Sequence, residues 1–162
     1  MKKVIKIIVV VIAVLCLCIV LLLLFLGGRP AAPTDYQEQV QTGGPIEKSY
    51  MSSGPYAVSS SEEPVLQGFS KYIIYYPAEM ADQDRTYPVI VISNGSGTPL
   101  SKYPAVAQHF ASWGFIVIGT EEEYDWNGFA AEMCIRRLQL LNETERINDQ
   151  SNIFYQKVDL EH

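Results

Sequence analysis

Twenty consecutive apolar residues, Ile7 to Leu26, constrain this chain before anything else does. At about 1.5 Å per helical residue the run spans roughly 30 Å, the thickness of a bilayer's hydrocarbon core. Seventeen of the twenty are Leu, Ile, Val or Phe. At about −0.4 kcal/mol each they favour insertion by roughly 7 kcal/mol. Lys2, Lys3 and Lys6 lie on one flank. The N-terminus is therefore expected in the cytoplasm and everything after Gly27 outside the cell. A cleavable signal peptide competes with this reading, but its apolar region is usually about 7–15 residues long and closes on small residues. The run here is longer, and Gly27-Gly28-Arg29-Pro30 is a poor cleavage site. The expectation is a basic flank over 1–6, a single-pass signal anchor over 7–26, and a C-terminal part held at the cell membrane. Cys16 and Cys18 sit mid-run beside Leu15 and Leu17, not beside the small residues of a lipid attachment site, and read as membrane-facing thiols.

The part beyond the anchor is acidic. From Pro30 onward there are eight Lys/Arg against eighteen Asp/Glu, a net charge of −10. Such a surface repels nucleic acid and offers no basic stripe to bind it. Cys134 is the one cysteine outside the apolar run. The exported part therefore has no internal disulfide, and a lone thiol of this kind reads as a small buried hydrophobe.

Residues 27–50 are rich in Gly, Pro, Gln and Thr and lack apolar periodicity, the composition of a flexible stalk. After Gly54-Pro55-Tyr56 the pattern changes, and 51–162 reads as a domain. Lys71 to Tyr76 has the β-branched and aromatic content of a strand, ended by Pro77. Val89 to Ser93 and Phe115 to Gly119 are continuous apolar runs, as strands covered on both faces are. Between them Ser101 is placed to cap a helix with Pro104 in its first turn. Val106, Phe110 and Trp113 fall on one stripe of that helix beside Ala107 and Ala111, and Gly114 closes it. A second helix is predicted from about Gly128 to Asn142, with Phe129, Ala130, Met133, Cys134, Leu138 and Leu141 on one face. Strand, helix, strand, helix with covered strands means an α/β sandwich built from right-handed parallel units.

Three segments resemble a known family. They are Tyr87-Pro88-Val89-Ile90-Val91-Ile92-Ser93-Asn94-Gly95-Ser96-Gly97, then Ala107-Gln108-His109-Phe110-Ala111-Ser112-Trp113-Gly114-Phe115-Ile116-Val117-Ile118, and finally Lys157-Val158-Asp159. In this order they resemble the N-terminal half of an α/β-hydrolase of the branch that holds dienelactone hydrolases, chlorophyllase-like esterases and cutinase-type polyester hydrolases. The resemblance implies a partial α/β-hydrolase sheet, with antiparallel first strands followed by a parallel β-α-β-α part. It also implies carboxylic ester hydrolysis by Ser, Asp and His through an acyl-enzyme, with no cofactor and no metal. In such enzymes the nucleophile stands in a Gly-x-Ser-x-Gly turn at the end of the next strand. No Gly-x-Ser-x-Gly occurs in this sequence.

By the same resemblance, Asn94-Gly95-Ser96-Gly97 occupies the first oxyanion position, with the Ser96 backbone N–H as donor and Asn94, Gly95 and Gly97 shaping the turn. The family usually has His or Pro where Asn94 stands. In acyl transfer such a donor meets the charge that develops on the carbonyl oxygen, and losing one typically costs about 3–4 kcal/mol. An ordinary glycine-rich turn is the competing reading. Phosphate is excluded, because Gly-x-x-x-x-Gly-Lys-[Ser/Thr] and the dinucleotide spacing are both missing. Glu121-Glu122-Glu123-Tyr124-Asp125 follows the second parallel strand. The cluster reads as a solvated loop, since no calcium-loop pattern surrounds it. Trp126 is placed either to line a cleft or to pack beneath its loop. His109 reads as a surface helix residue far in the chain from a triad base, and His162 follows no Ser…Asp…His order. Arg137 lies inside an apolar arc, where it either snorkels to water or meets a carboxylate partner in the missing half of the hydrolase.

The resemblance carries an expectation about function. The chain is expected to be the N-terminal part of a membrane-anchored hydrolase, cut before its nucleophile and inactive alone, with Val89–Ser93 left as an open sheet edge. That edge would receive a complementing C-terminal hydrolase fragment, from a split or frameshifted gene, or would self-associate. A non-catalytic membrane-tethered binding module is the reading of a different class.

Overall fold

The computed structural model describes residues 2–30, 35, 39–41, 43–64 and 70–161. Parts of the expected stalk (31–34, 36–38 and 42) and His162 lie outside the described residues. The chain divides into two units, Met1–Pro30 and Ala31–His162.

The first unit is a single helix, α1 (Lys2–Gly27), none of whose residues is buried by protein. Its length of 26 residues and mean hydropathy of 3.8 make it long and apolar enough to cross a membrane. Arg29 folds back over the Phe25 ring at 4.2 Å, a cation–π contact at the end of the apolar stretch.

The second unit opens with a short helix, α2 (Pro45–Met51), inside the stretch expected to be a featureless stalk. Pro45 starts it, in the position where a missing N–H costs nothing. Tertiary contact explains it: the Tyr50 ring lies 5.2 Å from the Trp113 ring, and the Trp113 indole N–H donates to the Ser52 carbonyl at 3.1 Å.

Five strands then form one sheet in the order β1-β2-β4-β3-β7. β1 (Val58–Glu63) and β2 (Tyr72–Pro77) are antiparallel, as are β2 and β4 (Ile116–Thr120). β3 (Tyr87–Val91) runs parallel to β4, with Val89 opposite Ile116 and Val91 opposite Ile118. The mixed sheet is the predicted α/β arrangement, with strand bounds shifted by one or two residues.

The continuous apolar strands have both faces covered. On one face Tyr72, Ile74, Ile116 and Ile118 pack with Cys134, Leu138 and Leu141 of α4 (Phe129–Glu143) and with Phe154. On the other, Ile73, Tyr75 and Val117 pack with Ala107 and Ala111 of α3 (Pro104–Ser112). Two short strands, β5 (Arg146–Ile147) and β6 (Gln150–Ser151), make a hairpin after α4.

Several details correct the sequence reading. The buried side of α3 is Ala105, Ala107, Ala111 and Ser112, whereas Phe110 is exposed. The small residues let the helix approach the sheet closely and leave the aromatics outside. Ser101 does not cap α3; it lies in a 3₁₀ turn, Leu100–Lys102, and Tyr103 precedes the helix with no side-chain cap. Gly114 does close α3, with φ of +97° and its N–H on the Ala111 carbonyl. Finally, β7 (Val158–Asp159) pairs in parallel with Tyr87 and Pro88. These two residues precede Val89–Ser93, the stretch expected to be an open edge. Beyond Pro88, no strand among the described residues pairs with that side of β3.

Candidate active site

The turn that follows β3 is built around one buried amide. Asn94 is 7% exposed. Its Nδ2 donates to the Glu122 carbonyl at 2.7 Å and the Thr120 carbonyl at 2.8 Å, with the Thr120 hydroxyl at 3.2 Å. Those two carbonyls lie at and just after the end of β4. The amide therefore staples the loop after β3 to the loop after β4, at the C-terminal edge of the parallel strands. The Asn94 Oδ1 atom is buried with no partner among the described residues. This environment also rules Asn94 out as a glycan acceptor, although Asn94-Gly95-Ser96 spells the motif.

Downstream of the staple the backbone reverses. The Thr98 N–H donates to the Gly95 carbonyl at 3.2 Å, and the Gly97 N–H donates to the Glu123 carbonyl at 2.7 Å. Gly97 takes φ of +69°, a left-handed conformation that favours glycine. Between these tied positions the Ser96 N–H has no acceptor among the described residues, and Ser96 is exposed. The N–H groups of Asn94 and Gly95 likewise have no acceptor among the described residues, so the turn presents several free donors of the kind oxyanion stabilisation uses.

The neighbouring side chains hold the loop. Ser93 Oγ donates to Asp125 Oδ2 at 2.8 Å. The two Asp125 oxygens accept the N–H groups of Ala130 (2.9 Å) and Ala131 (3.2 Å), so this carboxylate caps α4, where negative charge is favoured. Glu121 accepts the Ser101 N–H at 2.8 Å, and Glu122 accepts the Ser70 N–H at 2.6 Å. The carboxylates expected to be merely solvated are thus partly spent on backbone donors. Among the described residues, no cluster of His, Cys, Asp and Glu is arranged to hold a metal ion.

Trp126 corrects one expectation. It does not pack beneath its loop: it is 82% exposed, with its indole N–H directed to Ser96 Oγ at 3.3 Å and its ring edge-on to Tyr124 at 5.8 Å. It stands beside the Ser96 side chain.

Most of the sequence that builds this sheet and turn matches a family of known chemistry. Residues 64–162 match the model of platelet-activating factor acetylhydrolase, isoform II. The chain belongs to that family. It is a hydrolase family of the α/β-hydrolase-like lipase kind, which agrees with the hydrolase resemblance and with the mixed sheet. No protein of curated function matches the chain.

In this member of the acetylhydrolase family, Ser96, Asn94, Gly95, Gly97 and Trp126 come together at one edge of the sheet, whereas His109 does not join them. His109 lies on α3, its ring 6.0 Å from that of Phe110. Beside it, the Ser112 hydroxyl donates to the His109 backbone carbonyl at 2.6 Å. That hydroxyl also accepts the Gly54 N–H at 2.8 Å, a structural link between segments. Cys134 is buried under the sheet. Burial, helped by the nearby Asp125 charge, pushes its thiol up to about 12, so it carries no thiolate near neutral pH. Sequence reasoning did not find the Asn94 staple. The signal was present as an Asn in place of the family's usual residue, but its two carbonyl acceptors lie 26 and 28 residues further along the chain.

Proposed function

We propose that residues 51–162 form the oxyanion-bearing half of a carboxylic ester hydrolase, exported and held at the cell membrane by α1 as a signal anchor. The observation that carries the reading is the unpaired Ser96 N–H in a turn stapled by Asn94. The family's name, an acetylhydrolase, supports an acetyl ester as the bond attacked. The resemblance to dienelactone hydrolases, chlorophyllase-like esterases and cutinase-type hydrolases supports the same carbonyl chemistry. In that reaction the Ser96 N–H meets the charge on the tetrahedral intermediate, and Trp126 flanks the acyl group beside it.

The attacking oxygen comes from elsewhere. The sequence has no Gly-x-Ser-x-Gly, the turn that carries the nucleophile in such hydrolases. We infer that the 162 residues alone do not turn over esters. A strand bearing the nucleophile, laid along β3 beyond Pro88, would complete the site. The test is p-nitrophenyl acetate hydrolysis by the full chain in detergent micelles, with and without a polypeptide that begins with a strand and Gly-x-Ser-x-Gly, encoded downstream of His162. Turnover is expected only in the mixture. Turnover by the chain alone, blocked by a serine-directed fluorophosphonate, would overturn the reading.

A further inference from the structure

A second surface, at the opposite end of the sheet, is aromatic. Tyr50, His109, Phe110, Trp113 and Phe115 line an apolar cleft of about 430 Å³. Ile46 and Tyr50, four residues apart on α2 and so on one helix face, are 75% and 63% exposed, and Phe110 is exposed beside them. No acidic side chain lines the cleft, although the chain beyond Pro30 carries a net charge of −10. Exposed aromatics grouped in this way mark an interaction surface rather than scattered apolar residues.

We propose that this face docks on the outer interface of the bilayer that α1 spans, an inference that rests on the anchor reading above. Two observations select the bilayer over another protein. Tyr and Trp, each with an apolar ring and a polar tip, are the side chains that settle at the level of lipid headgroups. The segment from Gly28 to Gly44 has seventeen residues. Whatever its conformation, it cannot exceed about 60 Å, so the membrane is always within reach of α2. Tethering then makes docking an intramolecular event, in which modest affinity suffices.

The proposal has a consequence for the acetylhydrolase site. Trp113 and Phe115 precede β4, whereas Asn94 and Ser96 follow β3, which is parallel to it. A five-residue strand, about 16 Å long, separates the two edges. Docking through Trp113 therefore turns the Ser96 edge away from the lipid, towards an ester that arrives from water.

The chain's two tryptophans make the test direct. The full chain is reconstituted in phosphatidylcholine–phosphatidylglycerol vesicles with or without acyl-brominated lipid, once as Trp126→Phe and once as Trp113→Phe. Trp113 emission is expected to shift to the blue and to be quenched by the bromines, while Trp126 emission does neither. Tyr50→Ser with Phe110→Ser, added to Trp126→Phe, should abolish the quenching. Chain that co-floats with vesicles but keeps Trp113 unquenched overturns the docking and leaves the anchor standing; cross-linked dimers in that sample would assign the face to a second copy. Chain that fails to co-float overturns both. Quenching that survives the double substitution overturns the choice of face, and equal quenching of Trp126 overturns the orientation.

Discussion

Arg137 Nη2 donates to Glu63 Oε2 at 2.6 Å, tying α4 to the edge strand β1 across 74 residues of chain. The two side chains are 17% and 19% exposed. Arg137 also keeps a buried Nε without a partner among the described residues. The sequence reading expected this arginine to snorkel or to meet a carboxylate in the missing half; its partner instead lies in β1.

Breaking the pair from one side strands a half-buried charge. Glu63→Ala is expected to destabilise the domain by about 2–3 kcal/mol, less than a fully buried pair would lose. Glu63→Leu combined with Arg137→Met should recover most of that loss, because an apolar pair pays no desolvation. Urea unfolding of the two variants, followed by circular dichroism, checks both values. A double variant no more stable than Glu63→Ala would show that the ion pair itself sets the register.

Gly54 sits against the turn that ends α3. A Cβ there would lie 2.1 Å from the Ser112 carbonyl oxygen and 2.7 Å from the Trp113 nitrogen. Gly54→Ala must move backbone and is expected to cost about 3 kcal/mol. Gly97→Ala meets nothing within 4 Å and pays only for its positive φ, about 1–2 kcal/mol. Thermal midpoints should rank Gly54→Ala well below Gly97→Ala.

Replacing the Asn94 amide should loosen the Asn94–Gly97 turn. Asn94→Asp sets a carboxylate against the carbonyls of Thr120 and Glu122, and Asn94→Ala leaves both unpaired. Each is expected to cost about 2–3 kcal/mol. The local readout is hydrogen exchange at the Gly97 amide, which donates to Glu123 and should lose protection in both variants. Unchanged exchange there would remove the staple from the account of the site.

Cys134 gives a pH dependence of known sign. Its thiol rises from an ordinary 9.0 to about 12 on folding, chiefly through burial. The neutral thiol is the form the fold keeps, so its contribution is fully present below pH 9 and is lost as pH climbs towards 12. Stability in urea should fall more steeply with pH above 9 in the parent chain than in Cys134→Ala. Tyr75 and Tyr76 are also raised by burial and contribute the same background slope to both chains, whereas Tyr72, raised by burial and then by the charge of Cys134, adds to the difference between them.

Much of this architecture was legible in the residues. The unbroken apolar run required a helix that water cannot cover. The continuous β-branched runs demanded strands buried on both faces, and Gly114 marked the end of α3. The glycine-rich turn Asn94–Gly97 after β3 was also legible. Local pattern sufficed in these cases because apolar periodicity and glycine conformations are properties of neighbouring residues.

Only the tertiary structure decided which neighbours meet. It turned the alanine side of α3 to the sheet and the aromatic side outward, paired Arg137 with Glu63, and drew Pro45–Met51 into a helix against Trp113. It also laid Val158–Asp159 along β3 and lifted Trp126 into solvent beside Ser96. Each of these joins residues distant in the chain, and a side chain's own chemistry does not say which partner the fold will bring to it.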